Sequence, residues 1–581
     1  MDVPLRQYWD LLSRHIRPQR ARFALLAALL LSGIGLQLVL PQIVRAFIDA
    51  TSAGASGRAL LYAALGFVGT ALLQQGLGVA ATYVGENVAW SATNALRGEL
   101  ARHCLSLDLS YHGAHTPGEL IERIDGDVAQ LATFFSQLVI YVLGNALLLC
   151  GIVVALAMED GRLGAAFAVL SIVALVVLNR IRGIAVPHFR AQRQAEAALF
   201  GYLEEQLAGT EDICANGANE YALRGIYQHQ AEIMRHNRAG SMRGRIVDLA
   251  SDALLTAGQV IALWAGYRLY QAGGFTLGRV YLLVQYINLL RTPLRELARQ
   301  IQNLQTVGAS VQRLTELRGT ESVLKDGPGA AIPGGALSLR FEGVHFAYLP
   351  EEPVLHGMSF SLRPGTVLGL LGRTGSGKTT LGRLVFRLYD PRAGHVHLGG
   401  VDLRQARLAE LRQRVAMVTQ DVQLFQGTVR DNLTFFDHTI PDAQIEAAIE
   451  ALGLGDWYAL LPEGLDTRLE TGSRGLSAGE GQLLAFTRVL LRDPGLVILD
   501  EASSRLDPAT EALVERAIDR LLHGRTAIVI AHRLATVGRA DEIMILEGGR
   551  IHEHGARQAL ANDSASHFHA LLHAGLEEVL A

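Results

Sequence analysis

Long apolar runs constrain this 581-residue chain more than any other feature. Phe23 to Ile48 exceeds the roughly 20 residues that a helix needs to cross a bilayer, and is too long for a signal-peptide core. Arg6, Arg14, Arg17, Arg20 and Arg22 precede it, and Pro41 inside it predicts a kink. Further runs occupy Leu60 to Val84, Phe134 to Met158, Leu163 to Leu178 and Leu249 to Tyr270. A sixth, Leu277 to Leu297, is interrupted by Arg279, Gln285, Asn288 and Arg291. Accepting it gives an even count, with both termini on one side of the membrane.

Loop charge sets the orientation. Segments 85–133 and 179–248 are long and arginine-bearing, whereas the alternate loops are short and nearly uncharged. The positive-inside rule then places the N-terminus, the C-terminus and both long segments in the cytoplasm, as in a multi-pass protein of the cell (plasma or inner) membrane. Periodic apolar residues in those segments predict helices running beyond the bilayer. Each holds a break, at Ser110-Tyr111-His112-Gly113 and at Ala208-Gly209-Thr210. Gln37, Gln74, Gln75, Asn145, Gln259, Gln285 and Asn288 lie within the spans. They either line a substrate cavity or bond helix to helix, the commoner use of such side chains. Asp248 and Asp252 sit near a cytoplasmic end, so no intramembrane acid chain suggests a proton relay. A net charge of −4 gives no reason to expect a nucleic-acid partner. Cys104, Cys150 and Cys214 form no metal or disulfide pattern and read as core thiols.

Thr320 to Gly335 is a Gly- and Pro-bearing linker, and beyond it strands and helices alternate as in an α/β domain. Gly372-Arg373-Thr374-Gly375-Ser376-Gly377-Lys378-Thr379 fits a phosphate-binding loop, G-x-x-x-x-G-K-[ST]. A buried strand, Thr366 to Leu371, precedes it, and Thr380 to Tyr389 reads as a helix with its positive end toward the phosphates. Lys378 would reach the β/γ-phosphates and Thr379 a Mg²⁺ ion. Of 52 basic residues only Lys325 and Lys378 are lysine, so an arginine-rich chain keeps lysine where a compact ammonium is needed. Leu496 to Glu501 is a strand ending in two acids: Asp500 would hold Mg²⁺ through water, and Glu501 would polarise the attacking water. His532 follows another buried strand and could contact the γ-phosphate; Tyr348 could stack on adenine. Taken alone, either would more often be structural.

These residues recur in one order with Gln420, in Thr419-Gln420-Asp421, and with Leu476-Ser477-Ala478-Gly479-Glu480, which resembles the signature motif of ATP-binding cassette (ABC) proteins. Ser504-Arg505-Leu506-Asp507 resembles that family's D-loop, and Glu470 to Gly475 its exporter-specific loop. Across nearly its whole length the chain resembles an ABC exporter half-transporter. The resemblance implies a multidomain membrane protein: an all-α six-helix transmembrane domain (1–319), the linker (320–335) and an α/β P-loop NTPase (336–581). It implies ATP and Mg²⁺ as ligands and a transported drug, lipid or peptide-like substrate. Gln420 would serve both the metal and catalysis, beside Glu501 and His532; Gly372 to Thr379 and Thr380 would hold nucleotide. Two cassettes would close head to tail, with Ser477 and Gly479 of one chain meeting nucleotide on the other. The cytoplasmic breaks resemble coupling helices. Import with the same architecture, or a non-transporting cassette protein, are the alternatives. Ala478 and Glu480 stand where the family most often has Gly and Gln, so the site this signature completes is expected to be impaired. That asymmetry favours a different half-transporter as partner, with a homodimer as the alternative.

Overall fold

The computed structural model describes residues 17–181, 186–419, 422–469, 477–500, 508–531 and 537–574. It divides into two units: Met1–Leu105 with Pro117–Thr320, and Ser106–Thr116 with Glu321–Ala581.

The first unit is helical. α1 (Arg20–Ser52) carries Pro41 internally, and α2 (Gly57–Ser106) runs 50 residues, about 75 Å at the helical rise per residue. α3 (Leu109–Ala114) belongs to the other unit. α4 (Pro117–Ile121), α5 (Val128–Gln137) and α6 (Gly144–Glu159) follow one another through two π-helical stretches, Glu122–Asp127 and Leu138–Leu143. Then come α7 (Gly161–Ile181), α8 (Val186–Ala208), the short α9 (Thr210–Ala215), α10 (Asn219–Gln271) and α11 (Leu277–Gly319). Among the described residues four helical stretches are long and apolar enough to cross a membrane: Arg17–Ser52, Gly57–Ser106, Tyr141–Glu159 and Gly161–Leu178. The other two expected spans lie in α10 and α11, where polar residues dilute the apolar character.

The core of this unit joins α6, α7, α10 and α11 through side chains such as Ile152, Phe167, Ala262, Tyr286 and Ile287. On α6 the buried positions Leu148, Ile152 and Leu156 recur every fourth residue, which turns Cys150 outward. Cys150 and Cys214 are both exposed, so only Cys104 is a core thiol. Cys214 falls on α9, none of whose residues is buried.

Charges at the loop-proximal ends of α1, α6 and α11 are paired. Glu159 accepts from Arg45 and faces Arg279 Nε at 3.4 Å. Asp49 accepts from Gly278 N and Thr276 Oγ1, each at 3.0 Å. A charge in a span is costly unless it has such a partner, which is how α11 tolerates Arg279.

In the second unit, β1 (Leu339–Ala347), β2 (Pro353–Leu362), β4 (Ala393–Leu398) and β5 (Val401–Asp402) make a four-stranded sheet ordered β2-β1-β4-β5. The larger sheet has the order β12-β11-β3-β10-β9-β6. Its members are β3 (Val367–Leu371), β6 (Val415–Val418), β9 (Leu496–Asp500), β10 (Thr526–Ile530), β11 (Glu542–Glu547) and β12 (Arg550–Ala556). The five strands from β11 to β6 pair in parallel. Central β3, β9 and β10 are buried at every position, as expected of strands covered on both faces. β7 (Gly427–Thr428) pairs with β8 (Arg468–Leu469).

The helices that matter for the site are α12 (Lys378–Val385), α13 (Leu408–Arg414), α14 (Val429–Thr434) and, after two short helices at Asp442–Ala451 and Gly455–Ala459, α15 (Ala478–Arg492). The helix expected over Thr380 to Tyr389 is shorter. It stops at Val385 because Arg387 takes a left-handed backbone (φ 51°). There Arg387 buries its guanidinium against Asp390 and the carbonyls of Lys325 and Ala406.

Candidate nucleotide site

Strand β3 delivers the phosphate loop at the middle of the sheet, between β11 and β10. Gly372 (φ 144°) and Gly377 (φ 102°) need glycine twice over. A Cβ on Gly372 would lie 2.3 Å from Leu546 O, and one on Gly377 2.6 Å from Leu355 Cδ2. Gly377 caps α12 with no side-chain hydrogen bond, so the first N–H groups of that helix keep their capacity for an anion. Lys378, only 6% exposed, donates from Nζ to Gly372 O (2.5 Å) and Arg373 O (3.0 Å). Ser376 Oγ is buried and makes no hydrogen bond among the described residues. Nothing lies within 4 Å of where a Gly375 Cβ would point. A cavity of about 360 Å³ borders Gly372 to Ser376, with β11, His567 and Leu571 on its other side. An orphaned hydroxyl, a buried ammonium beside the loop carbonyls and an uncapped helix end gather hydrogen-bond donors and positive charge at one loop. They fit a polyphosphate.

Sheet register places the other groups. Leu370, Ile530 and Asp500 are aligned across β3, β10 and β9. Asp500 therefore lies about 10 Å from the strand leading into the phosphate loop, two strand spacings away. It is 8% exposed. Thr379, half-buried, is the second residue of α12. Thr380 is buried, and its Oγ1 lies 3.1 Å from Tyr348 Oη, which also accepts from Arg383. Tyr348 meets Phe346 and Tyr389 edge to face, which leaves it 40% exposed and free to stack on a flat ligand. Burial and the neighbouring Tyr348 push the Tyr389 phenol up. Arg373 and Thr374 are exposed on the loop's outer turn. Gln420, Glu501 and His532 lie outside the described residues, as do Leu476, the D-loop-like Ser504 to Asp507 and the stretch Glu470 to Gly475.

Ser477 is the N-cap of α15, and Gly479 is buried in its first turn. Ser477 Oγ accepts from Glu480 N (3.2 Å), and Glu480 Oε2 accepts from Ser477 N (2.6 Å). This reciprocal capping box ties up the Ser477 N–H and sets a carboxylate at the positive end of the helix. Among the described residues, none of α15 lines the cavity at the phosphate loop.

Two further residues escaped the sequence reading. Arg488 on α15, over the Phe435 ring, bridges Asn432 O (2.6 Å) and Gln423 O (3.1 Å). Burial, with Arg492 nearby, pushes its pKa down to about 10, so it stays charged at neutral pH. Asp108 caps α3 by accepting from Ser110 N and Tyr111 N, while its other oxygen accepts from Val323 N (2.6 Å) and Ser322 Oγ (3.0 Å). Burial raises its pKa, but these four hydrogen bonds outweigh burial and hold the carboxyl below its ordinary value. The motif Asp-x-Ser ahead of a short helix was a legible cap signal; the partners at 322 and 323 were not.

The ABC transporter transmembrane region model matches residues 23–294, and the ABC transporter model matches 355–504. An uncharacterized ABC transporter ATP-binding protein of Bacillus subtilis is 30% identical over 95% of this chain and 92% of its own length. The chain belongs to the ABC transporter family. As a member with one membrane region fused to one ATPase region, this ABC transporter is an integral membrane protein that binds and hydrolyses ATP to drive transport. A fatty acid ABC transporter ATP-binding/permease protein of Mycobacterium bovis is 30% identical over 77% of this chain and 71% of the relative. In fold, the transporter matches the structure of a bacterial Atm1-family ABC exporter with ATP bound (TM-score 0.80, 24% identity, 96% of this chain and 98% of that one).

Proposed function

We propose that this chain is one half of an ATP-driven exporter and works with a different half. One observation carries the reading: the chain offers an open helix N-terminus at its phosphate loop and one closed by Glu480 at its signature. In a homodimer both composite sites would join the open end to the closed one. With an ordinary signature from a different half, this chain's own phosphate loop gains a competent partner surface, and the closed signature falls on the second site.

In this reading residues 1–319 carry six spans with both termini cytoplasmic, 320–335 link, and 336–581 form the ATPase. Lys378 and the loop N–H groups bind the phosphates of ATP, helped by Thr374, Ser376 and Thr380, and Tyr348 supports the base. Thr379, Gln420 and Asp500 hold Mg²⁺, which when bound supplies charge neutralisation between the phosphates. Glu501 takes the proton of the attacking water, and His532 contacts the terminal phosphate. Ser477 and Gly479 face nucleotide held by the partner.

Affinity purification of the tagged chain from its native membrane, followed by native mass spectrometry, tests the pairing. A 1:1 complex with a different half-transporter is expected; recovery as a dimer of this chain alone contradicts it. ATP-dependent uptake into inside-out vesicles is expected for export, and ATP-dependent loss from them would mean import.

A further inference from the structure

Five of the 19 histidines fall between His552 and His573, and the ATPase chemistry uses none of them. Three lie on α17 (His567–Ala574), the last described helix, which follows α16 (Arg557–Asn562). Phe568 and Leu571 turn one face of α17 into a core shared with Leu371, the residue before the phosphate loop. Residues four apart are neighbours on a helix surface, so His569 and His573 meet on another face. Their ring centres are 4.4 Å apart and the planes are tilted by 57°.

The protonation of this pair is already set for a metal. His569 Nδ1 lies 2.7 Å from Ala561 O of α16. A carbonyl can only accept, so Nδ1 carries the proton and Nε2 keeps its lone pair. A metal-ligating imidazole is held in just this way, its second nitrogen donating to a fixed oxygen. His569 is half-buried and His573 exposed, so the pair opens to solvent. With metal–nitrogen bonds of about 2.0–2.1 Å, a right angle at the metal sets the ring centres roughly 4.5 Å apart, and a tetrahedral angle roughly 5.2 Å. The observed spacing fits the right angle, the cis positions of a tetragonal Cu²⁺ or Ni²⁺ site. Among the described residues no third His, Cys, Asp or Glu joins such a group. Water would fill the remaining positions. Mg²⁺ prefers oxygen ligands, so the ATPase metal does not compete for these nitrogens.

We propose that His569 and His573 form a two-histidine site for a divalent late first-row cation, Cu²⁺ or Ni²⁺ ahead of Zn²⁺, which clips the last turns of α17. A helix of eight residues is marginal by itself. A metal bridging positions four apart fixes the backbone between them. Leu571 lies between the two ligands and borders the cavity at the phosphate loop, so the clip stiffens one wall of that cavity.

The test uses the complex as isolated through a histidine-free tag, stripped with EDTA, desalted and titrated with Cu²⁺ in the presence of Mg²⁺. One Cu²⁺ per copy of this chain is expected at micromolar concentration, with an electron paramagnetic resonance spectrum that shows two imidazole nitrogens. His573→Ala, at an exposed position, should lose at least about tenfold in Cu²⁺ affinity and one of the two nitrogens, since even the loss of an outer partner costs that much. His552→Ala, on β12, should bind as the parent does. Amide exchange over residues 570–574 should slow when Cu²⁺ is added to the parent, and not in His573→Ala. Absence of bound Cu²⁺, or unchanged affinity and spectrum in His573→Ala, overturns the site. Equal losses in His573→Ala and His552→Ala mean adventitious binding to surface histidines and overturn it too. Bound Cu²⁺ with no slowing of exchange overturns the clip.

Discussion

α12 and α15 both begin on small residues, and both lie in the nucleotide-binding unit, yet they offer different surfaces to an anion. α12 starts from Gly377 in a left-handed conformation with no side-chain cap, and Lys378 sits in its first turn. α15 starts from Ser477 and closes on itself through the carboxylate of Glu480. A helix N-terminus attracts phosphate only to the extent that its N–H groups are unpaired and its partial positive charge is not already matched. By that criterion the first is a binding site in waiting, and the second has an internal competitor for the ligand it is meant to meet.

The comparison breaks first at Lys378. Lys378→Ala should abolish measurable ATP binding at this chain's own site, since the ammonium meets several phosphate charges where water is largely excluded. Retained binding in a nucleotide titration would show that the uncapped end of α12 suffices alone. Glu501→Gln should leave binding intact and slow hydrolysis by about 10²–10⁴-fold, the span of general-base contributions. Near-normal turnover with the true partner present would remove Glu501 from the role of base. Tyr348→Ala should weaken ATP binding by only about 1–3 kcal/mol, a stacking contribution. A loss as large as that of Lys378→Ala would mean that the ring, through Thr380 and Arg383, holds the loop itself.

The smallest effect concerns Asp108. Asp108→Ala should destabilise the nucleotide-binding unit by about 1–2 kcal/mol, as for a lost N-cap. Because the folded carboxyl titrates below its ordinary value of 3.8, its contribution is full above that pH and fades as pH falls through the folded value. The stability gap between parent and variant, followed by thermal unfolding, should therefore narrow only below about pH 3.8. A gap that is unchanged there would mean that the ionised carboxylate is not what holds Ser322 and Val323.

Much of this was legible in the chain because its signals are local. The strands β3, β9 and β10 announce themselves as unbroken apolar runs, and the phosphate loop by glycines whose missing Cβ atoms the structure requires. The sequence presents Glu480 only as a misplaced charge, and the structure shows it as the bonded partner of Ser477 N. What escaped was long-range: Asp108 with Val323, 215 residues apart, and Asp252 with two arginines about 40 residues away. Spacing along a chain carries no trace of such pairs. Cys150 and Cys214 were misjudged because burial on a helix depends on which face meets its neighbours, and on α9 no residue is buried.

The claim that the signature is closed by its own acid is tested most directly by steady-state ATPase activity of the isolated full-length chain, parent against Glu480→Gln. The amide keeps the hydrogen bond to Ser477 N but removes the charge. Slow turnover in the parent and a rise of at least about fivefold in the variant are predicted, the equivalent of roughly 1 kcal/mol at a helix N-terminus. A stable dimer of the parent with brisk, substrate-stimulated turnover, unchanged by Glu480→Gln, would contradict the account.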